Sequence, residues 1–282
     1  MIDTHSHILP GLDDGAADIS ETIELARAAV RAGVREVVCT PHVRDHGDLA
    51  LTRGARSLLT AERALAAADI PLRLHLGYEL SFSFAAALEM EELEVLTLGS
   101  DSRAILVELP YFGWPMNASD AVFRWRLHGF LPVIAHPERN DRIQKDPGRL
   151  QELVRLGAIA QGTMPSLIGT FGSGSRASLL RLLADGWLSL LASDSHYGRG
   201  RPAGMAEGLR ALKGWAPGAD VRILTRDNPS RLLAGEPLRD PGPVKVRRAW
   251  EKYLYGNRKK SGGVSGTIEG SADKKRRGAR GR

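Results

Sequence analysis

His5 and His7 stand two residues apart in the opening run MIDTHSHILPGLDDG. On a β-strand that spacing puts both imidazoles on one face, where neutral ring nitrogens can share a metal ion. Asp3, two residues further back, is placed to accept a ring N–H and orient one of the histidines. An HxH pair by itself is equally compatible with packed or surface histidines, so its weight comes from company. Asp14 belongs to the same motif, His42 ends VVCTPH, Glu79 follows Gly77-Tyr78, Glu108 closes ILVE, His136 opens HPER, and Asp194 and His196 share DSH. Carboxylates gathered in one place repel and cannot be buried bare, which makes divalent cations their natural compensation. Nine candidate donors exceed what one ion takes, and a mixed imidazole and carboxylate set suits zinc, manganese or iron better than calcium or magnesium. Several such ions can activate water and hold both oxygens of an in-line displacement, which is hydrolysis. Arg139, three residues after His136, and Arg199 and Arg201, just past His196, add guanidinium groups that match phosphate geometry, so a phosphate ester is the expected substrate.

These donors are scattered over almost 200 positions, and only a particular architecture brings them together. Short apolar runs recur at 1–7, 36–42, 72–79, 104–108, 131–136, 158–162 and 189–194. Helical patterns separate them at 19–32, 60–68, 119–127, 147–156, 175–185 and 203–212. Gly33, Gly129, Gly157 and Gly186 sit where helix C-termini place glycine. Seven strand-then-helix units predict an α/β fold, either a parallel barrel or a doubly wound sheet. Nearly every candidate ligand falls at the C-terminal end of a predicted strand, the edge at which parallel barrels build their active sites.

The chain has 282 residues, of which 43% are hydrophobic, enough for a substantial core. Cys39, the only cysteine, lies in an apolar run, so no intramolecular disulfide forms. The N-terminus has neither the basic nor the apolar region of a secretory signal, no stretch is long enough to span a bilayer, and cytoplasmic residence is expected. The net charge of +6 belongs to an appendage: residues 239–282 hold 14 of the 39 Lys and Arg and 4 of the 33 Asp and Glu. Residues 1–238 are left with 25 basic against 29 acidic side chains, a body of net −4 with no basic face for nucleic acid. We therefore divide the chain into a catalytic unit at 1–237, a segment at 238–256 with a short helix near 248–255, and a disordered basic tail at 257–282.

The motifs DTHSHILPGLDDG, VVCTPH, GYEL, ILVELP, VIAHPER, LASDSH and DNPSRLL, in this order over residues 1–233, resemble the polymerase and histidinol phosphatase (PHP) superfamily. They are most similar to its bacterial protein-tyrosine phosphatases associated with capsule and exopolysaccharide synthesis. The resemblance implies a distorted TIM-like (β/α)7 barrel with three divalent ions, commonly manganese, with iron or zinc as alternatives. It implies hydrolysis of phosphotyrosine on a partner tyrosine kinase of polysaccharide export. Carried over residue by residue, it implies one site of His5, His7, Glu79 and Asp194. Glu79 is then shared with a second site of Glu108 and His136, and Asp14, His42 and His196 form a third. Arg139 and Arg201 match positions that hold the phosphoryl group. Members often form rings through the first helix, for which Glu21, Glu24 and Arg27 could serve here. The stretch QGTMPS at 161–166 departs from a smaller Ala-Gly pair in relatives, and the basic tail lies beyond the resemblance.

Three remaining histidines stay outside the set: His46 as an exposed loop residue, His75 as a packed or supporting residue, and His128 as a helix cap. A phosphatase of a small metabolite such as histidinol phosphate, a nuclease-like phosphoesterase, and a binding module with structural metals are the rival readings. The same metal mouth serves the first two, and fold does not separate them.

Overall fold

Four consecutive residues of the strand Ala104–Glu108, namely Ala104, Ile105, Leu106 and Val107, are each no more than 1% exposed. A run buried on both faces is what a parallel sheet covered by helices requires. The computed structural model describes residues 1–198 and 204–247. It contains β1 (Ile2–Ser6), β2 (Glu36–Cys39), β3 (His42–Val43), β4 (Arg73–Leu76), β5 (Glu79–Ser81), β6 (Ala104–Glu108), β7 (Leu131–Ala135), β8 (Ile159–Thr163) and β9 (Leu188–Ala192). All pairings are parallel, in the orders β1-β2-β4 and β3-β5-β6-β7-β8-β9.

The two sheets are halves of one barrel. β2 leads into β3 across Thr40-Pro41, and β4 into β5 across Gly77-Tyr78, while Gly77 N donates to Cys39 O (2.9 Å) and Glu79 N to Pro41 O (3.1 Å). Pro41 has no N–H to give, so the ladder is broken there but its course is kept. A Cβ on Gly77 would lie 2.9 Å from Val38 Cγ1 and 2.8 Å from Leu98 Cδ2, a close approach only glycine permits. The circle closes where His7 N donates to Ser195 O (3.0 Å) and Asp194 N to His5 O (2.9 Å), beyond the end of β9. Seven strand positions result, and the expected distorted (β/α)7 barrel is the fold, its distortion lying in the two interrupted strands and the thin seam.

Alternation along the strands sorts the core into two parts. Val38, Ala104, Leu106, Val133, Ala135 and Leu190 form a small cluster inside the barrel, whereas Ile105, Val107, Ile134 and Leu191 join the larger cluster under the helices. Following the inner parity toward the C-terminal edge, Leu106 leads to Glu108, Val38 to Thr40 and His42, and Leu190 to Ala192 and Asp194. The barrel's packed interior is thus the floor on which the candidate ligands stand.

The expected helix at 60–68 is the second half of a longer one, Leu49–Ala67. Its first half was hidden by Gly54, a poor helix former that is there because a Cβ would come within 3.1 Å of Tyr78 Oη. Helices at Ile19–Arg31, Ala118–Leu127, Gly148–Arg155, Gly172–Ala184 and Gly204–Trp215 lie within a few residues of their sequence-based bounds. Several single-turn helices, such as Phe82–Ala87 and Asp141–Lys145, are too short to leave a periodic signature.

The chain beyond residue 237 continues along the barrel as far as Arg247. Val244 is 8% exposed within the main core, its N–H donates to Leu183 O (3.2 Å), and Arg247 N donates to Trp215 O (2.9 Å). Fully buried Asn228 holds this segment: its Nδ2 donates to Ser189 O and Arg239 O (2.9 Å each), and its Oδ1 accepts from Arg239 N (2.8 Å). The expected helix near 248–255 and the basic tail at 257–282 lie outside the described residues. Replacing Asn228 by Ala strands one N–H and two carbonyls, and is expected to lower unfolding stability by about 1–3 kcal/mol. Urea denaturation reads this as a lower midpoint at unchanged slope.

Candidate metal centre

Glu79, at the start of β5, has no exposed surface, and its carboxylate is ringed by imidazoles. Oε2 lies 3.2 Å from His5 Nε2, 3.3 Å from His7 Nε2 and 3.0 Å from His42 Nδ1; Oε1 lies 2.9 Å from His136 Nε2. Asp194 Oδ1 completes the inner group, 3.4 Å from His5 Nε2 and 3.3 Å from His7 Nε2. Glu108 Oε1 approaches His136 Nε2 at 3.6 Å, and Asp14 Oδ1 stands 3.5 Å from His42 Nε2 and 3.3 Å from His196 Nε2. The structure therefore brings all nine candidate donors into one patch. Of these, Asp14 is the most open, with 38% of its side chain exposed at the rim.

The geometry fits bound cations on its own terms. His5 Nε2 and His7 Nε2 face each other at 3.2 Å, and five of the six separations among these two atoms, Glu79 Oε2 and Asp194 Oδ1 are 3.2–3.4 Å. A regular tetrahedron of that edge has its centre about 2.0 Å from each corner, the bond length of zinc-class ions to nitrogen and oxygen. Among the described residues Glu79 Oε2 accepts no well-formed hydrogen bond despite its three imidazole neighbours. Lone pairs converging on one point are the arrangement a cation satisfies. Two further groups have ligand atoms within 4.8 Å of one another: His7, Asp14, His42 and His196; and His42, Glu79 and Glu108. His42 thus stands between them, offering Nδ1 to one side and Nε2 to the other.

Each inner ring is oriented through its far nitrogen, which leaves Nε2 for the centre. His7 Nδ1 meets Asp13 Oδ2 at 2.6 Å, and the same carboxylate accepts from His42 N (2.9 Å) and Gly15 N (2.9 Å). His5 Nδ1 meets Gln161 Oε1 at 2.9 Å, and Gln161 Nε2 donates to Thr4 Oγ1 (2.9 Å). The expectation that Asp3 orients a ring is corrected: it accepts from Ser193 N (2.9 Å) and Ser193 Oγ, tying β1 to the end of β9. Asp13 and Gln161 are the positioning residues that sequence reasoning missed. Asp13 lay in plain view beside Asp14, but which of two adjacent carboxylates turns inward is decided by the turn. That turn is set at Gly15, where a Cβ would fall 2.1 Å from His7 O.

Local backbone and charge complete the design. His136 (φ 29°) and Asp194 (φ 48°) adopt left-handed conformations at strand ends, each costing about 1–3 kcal/mol and sustained only by surrounding contacts. Burial would raise the pKa of Asp194, but the Arg139 guanidinium at 2.6 Å and His5 hold it well below the carboxylate range. Burial likewise opposes ionisation of Glu79, and its histidine neighbours overcome it. Arg139 is 8% exposed, donates to Thr163 Oγ1 (2.9 Å) and lies 3.5 Å over the Phe171 ring. Arg199 and Arg201 lie outside the described residues. Cys39 is fully buried in β2, and that burial pushes its thiol pKa far up, which rules out a thiolate at this position near neutrality.

The other histidines are accounted for. His46 is exposed, edge-on to Phe84; His75 pairs with Glu36 (2.8 Å); His128 caps its helix through Arg124 O (2.9 Å). On the first helix, Glu24 accepts from Tyr197 Oη (2.8 Å) and Glu21 from Ala17 N (2.7 Å), so both acids are used within the chain.

A family model described as capsular polysaccharide synthesis, CpsB/CapC, matches residues 1–234. The chain belongs to the CpsB/CapC family. Tyrosine-protein phosphatase YwqE of Bacillus subtilis is 36% identical over 253 residues, covering 88% of this chain and 98% of YwqE. Tyrosine-protein phosphatase CpsB of Streptococcus pneumoniae is 26% identical over 239 residues, covering 83% of this chain and 98% of that relative. A chain from the crystal structures of YwqE and CpsB, described as unique metal-dependent tyrosine phosphatases, superposes with a TM-score of 0.77 at 35% identity. It covers 87% of this chain and all of the other. An amidohydrolase from Mycoplasma synoviae, at 15% identity and a TM-score of 0.55, shares the fold alone.

Removing the Asp13 carboxylate by Asp13→Ala frees the His7 ring and the turn together. Divalent-cation affinity is expected to fall about 10- to 100-fold, measured by calorimetric titration of chelator-stripped protein.

Proposed function

We propose that this chain is a metal-dependent protein-tyrosine phosphatase, loaded with manganese, acting on a tyrosine kinase that controls capsule or exopolysaccharide synthesis. The observation that carries the reading is the shell of imidazole and carboxylate donors around buried Glu79, completed by Arg139 in its wall. His5, His7, Glu79 and Asp194 would hold one ion; Glu79, Glu108 and His136 a second; Asp14, His42 and His196 a third. The same donors suit iron or zinc. Bound divalent cations supply Lewis-acid polarisation of phosphoryl oxygens and a more acidic water.

The chain's own residues set where this happens. Asp13 and Gln161 fix the tautomer and angle of His7 and His5, and the low exposure of Glu79 and Asp194 keeps bulk water from the inner donors. Arg139, anchored by Asp194 and Thr163, is preorganised at the wall to receive a phosphoryl group, and Arg201 is its partner in this reading. No covalent thiol intermediate enters, because Cys39 is sealed in the core. We place the protein in the cytoplasm; among the described residues no helix is long and apolar enough to cross a membrane. Self-association through the first helix rests on the resemblance alone, with Glu21 and Glu24 already bonded within the chain, and a monomer mass by light scattering removes it.

Chelation should reduce hydrolysis of a phosphotyrosyl peptide to background, with recovery on adding manganese, whereas thiol alkylation of the folded protein should leave it intact. The reverse pattern contradicts the assignment of chemistry. Turnover of the peptide should also exceed that of histidinol phosphate and of single-stranded DNA in side-by-side assay.

A further inference from the structure

A cavity of about 480 Å³ opens beside the metal centre, between the short helix Phe82–Ala87 that follows β5 and the loop 109–117 that follows β6. Its lining is mostly apolar, with Phe82, Ala86, Leu109, Pro110 and Pro115 among its walls. Glu108 is the charged side chain in that lining, and it sits at the inner end; Tyr111 stands next to it and stacks on His136 with ring centroids 6.0 Å apart. The groove and the candidate centre therefore share a wall, and a group whose phosphoryl is held at the centre extends naturally into the groove.

The walls are preformed. Asn140 Nδ2 donates to Pro110 O (2.6 Å) and Gly113 O (3.0 Å), Asp141 Oδ1 accepts from Gly113 N (2.8 Å), and Asp141 N donates to Tyr111 O (2.9 Å). These bonds lash the loop to the residues that follow His136-Pro137-Glu138-Arg139. On the other side Arg124 Nη2 donates to Ala86 O (2.6 Å), fixing the short helix. A rigid apolar cleft costs little ordering on binding, and this volume lies in the range that takes a drug-sized ligand, well beyond a single phenyl ring. Phe112 and Met116, 83% and 95% exposed on the same loop, extend the apolar surface outward.

We propose that this groove is a peptide subsite that receives an apolar side chain lying within a few residues of the phosphotyrosine, and so sets sequence preference. The inference rests on the phosphatase reading above and goes beyond it. Among the described residues that line it, the groove has no Lys or Arg with which to hold an acidic flank. Continuity with the centre fixes the occupant as part of the same substrate chain.

The test uses the full-length, metal-loaded protein and phosphotyrosyl peptides in which leucine or serine is placed in turn at each of the two positions on either side. At one position or more, leucine is expected to lower KM about ten-fold relative to serine, with kcat changed less than two-fold, since the added side chain lies away from the scissile bond. Ala87→Glu and Ser83→Glu, both at exposed lining positions, are expected to erase that difference. Equal KM values across the set overturn the subsite, as does a leucine preference that survives both substitutions. Failure to hydrolyse every peptide instead overturns the phosphatase reading itself.

Discussion

A fully buried carboxylate in contact with four imidazoles is the constraint on which this structure turns. Glu79 places one oxygen within 3.3 Å of His5, His7 and His42 and the other 2.9 Å from His136. In a protein without cations such a cluster would carry a large desolvation cost, and protonating the rings to compensate would crowd positive charge on the opposite side. Cations shared between the donors resolve both problems at once. On the proposed metal-bound reading, the stability of the mouth and its chemistry are two consequences of the same ions, and the positions of Asp13, Gln161 and Arg139 follow as the means of keeping each donor aimed.

The barrel supplies this arrangement through parity. Inward-facing residues of the strands build a small apolar plug, and one or two steps further along the same faces the side chains become Glu108, His42 and Asp194. At His136 parity alone would turn the side chain away from the interior, and the backbone there takes a left-handed conformation; Asp194, already on the inner parity, takes one as well, and β2–β3 and β4–β5 are interrupted just below His42 and Glu79. The strain is concentrated at the mouth and is opposed by the deeply packed strands beneath, a division of labour usual for functional sites.

Much of this was legible in the sequence because its signals were of the strong kind. Strands buried on both faces read as unbroken apolar runs, and polar side chains that end those runs mark the catalytic edge. What was not legible depended on turn geometry or on packing between distant segments. The turn closed by Gly15 decides that Asp13, rather than Asp3, braces His7. Gln161 stood out only as a departure in its motif, and its contact with His5 spans 156 positions. The helix Leu49–Ala67 is longer than the expected 60–68 because Gly54 answers to Tyr78 and not to helix propensity. The composition of the segment at 239–247 sets it apart from the catalytic unit, yet Val244 fills a place in the core that no local pattern announces.

If Glu79 joins neighbouring ions, it must control more than one of them. Metal content per chain, measured by mass spectrometry on the wild-type protein and on Glu79→Gln after equilibration with manganese, tests this directly. The account predicts more than one ion in the wild type and the loss of at least two sites' worth of affinity together in the variant. A Glu79→Gln protein that keeps the full wild-type metal content, or a wild-type protein that binds none, would contradict it.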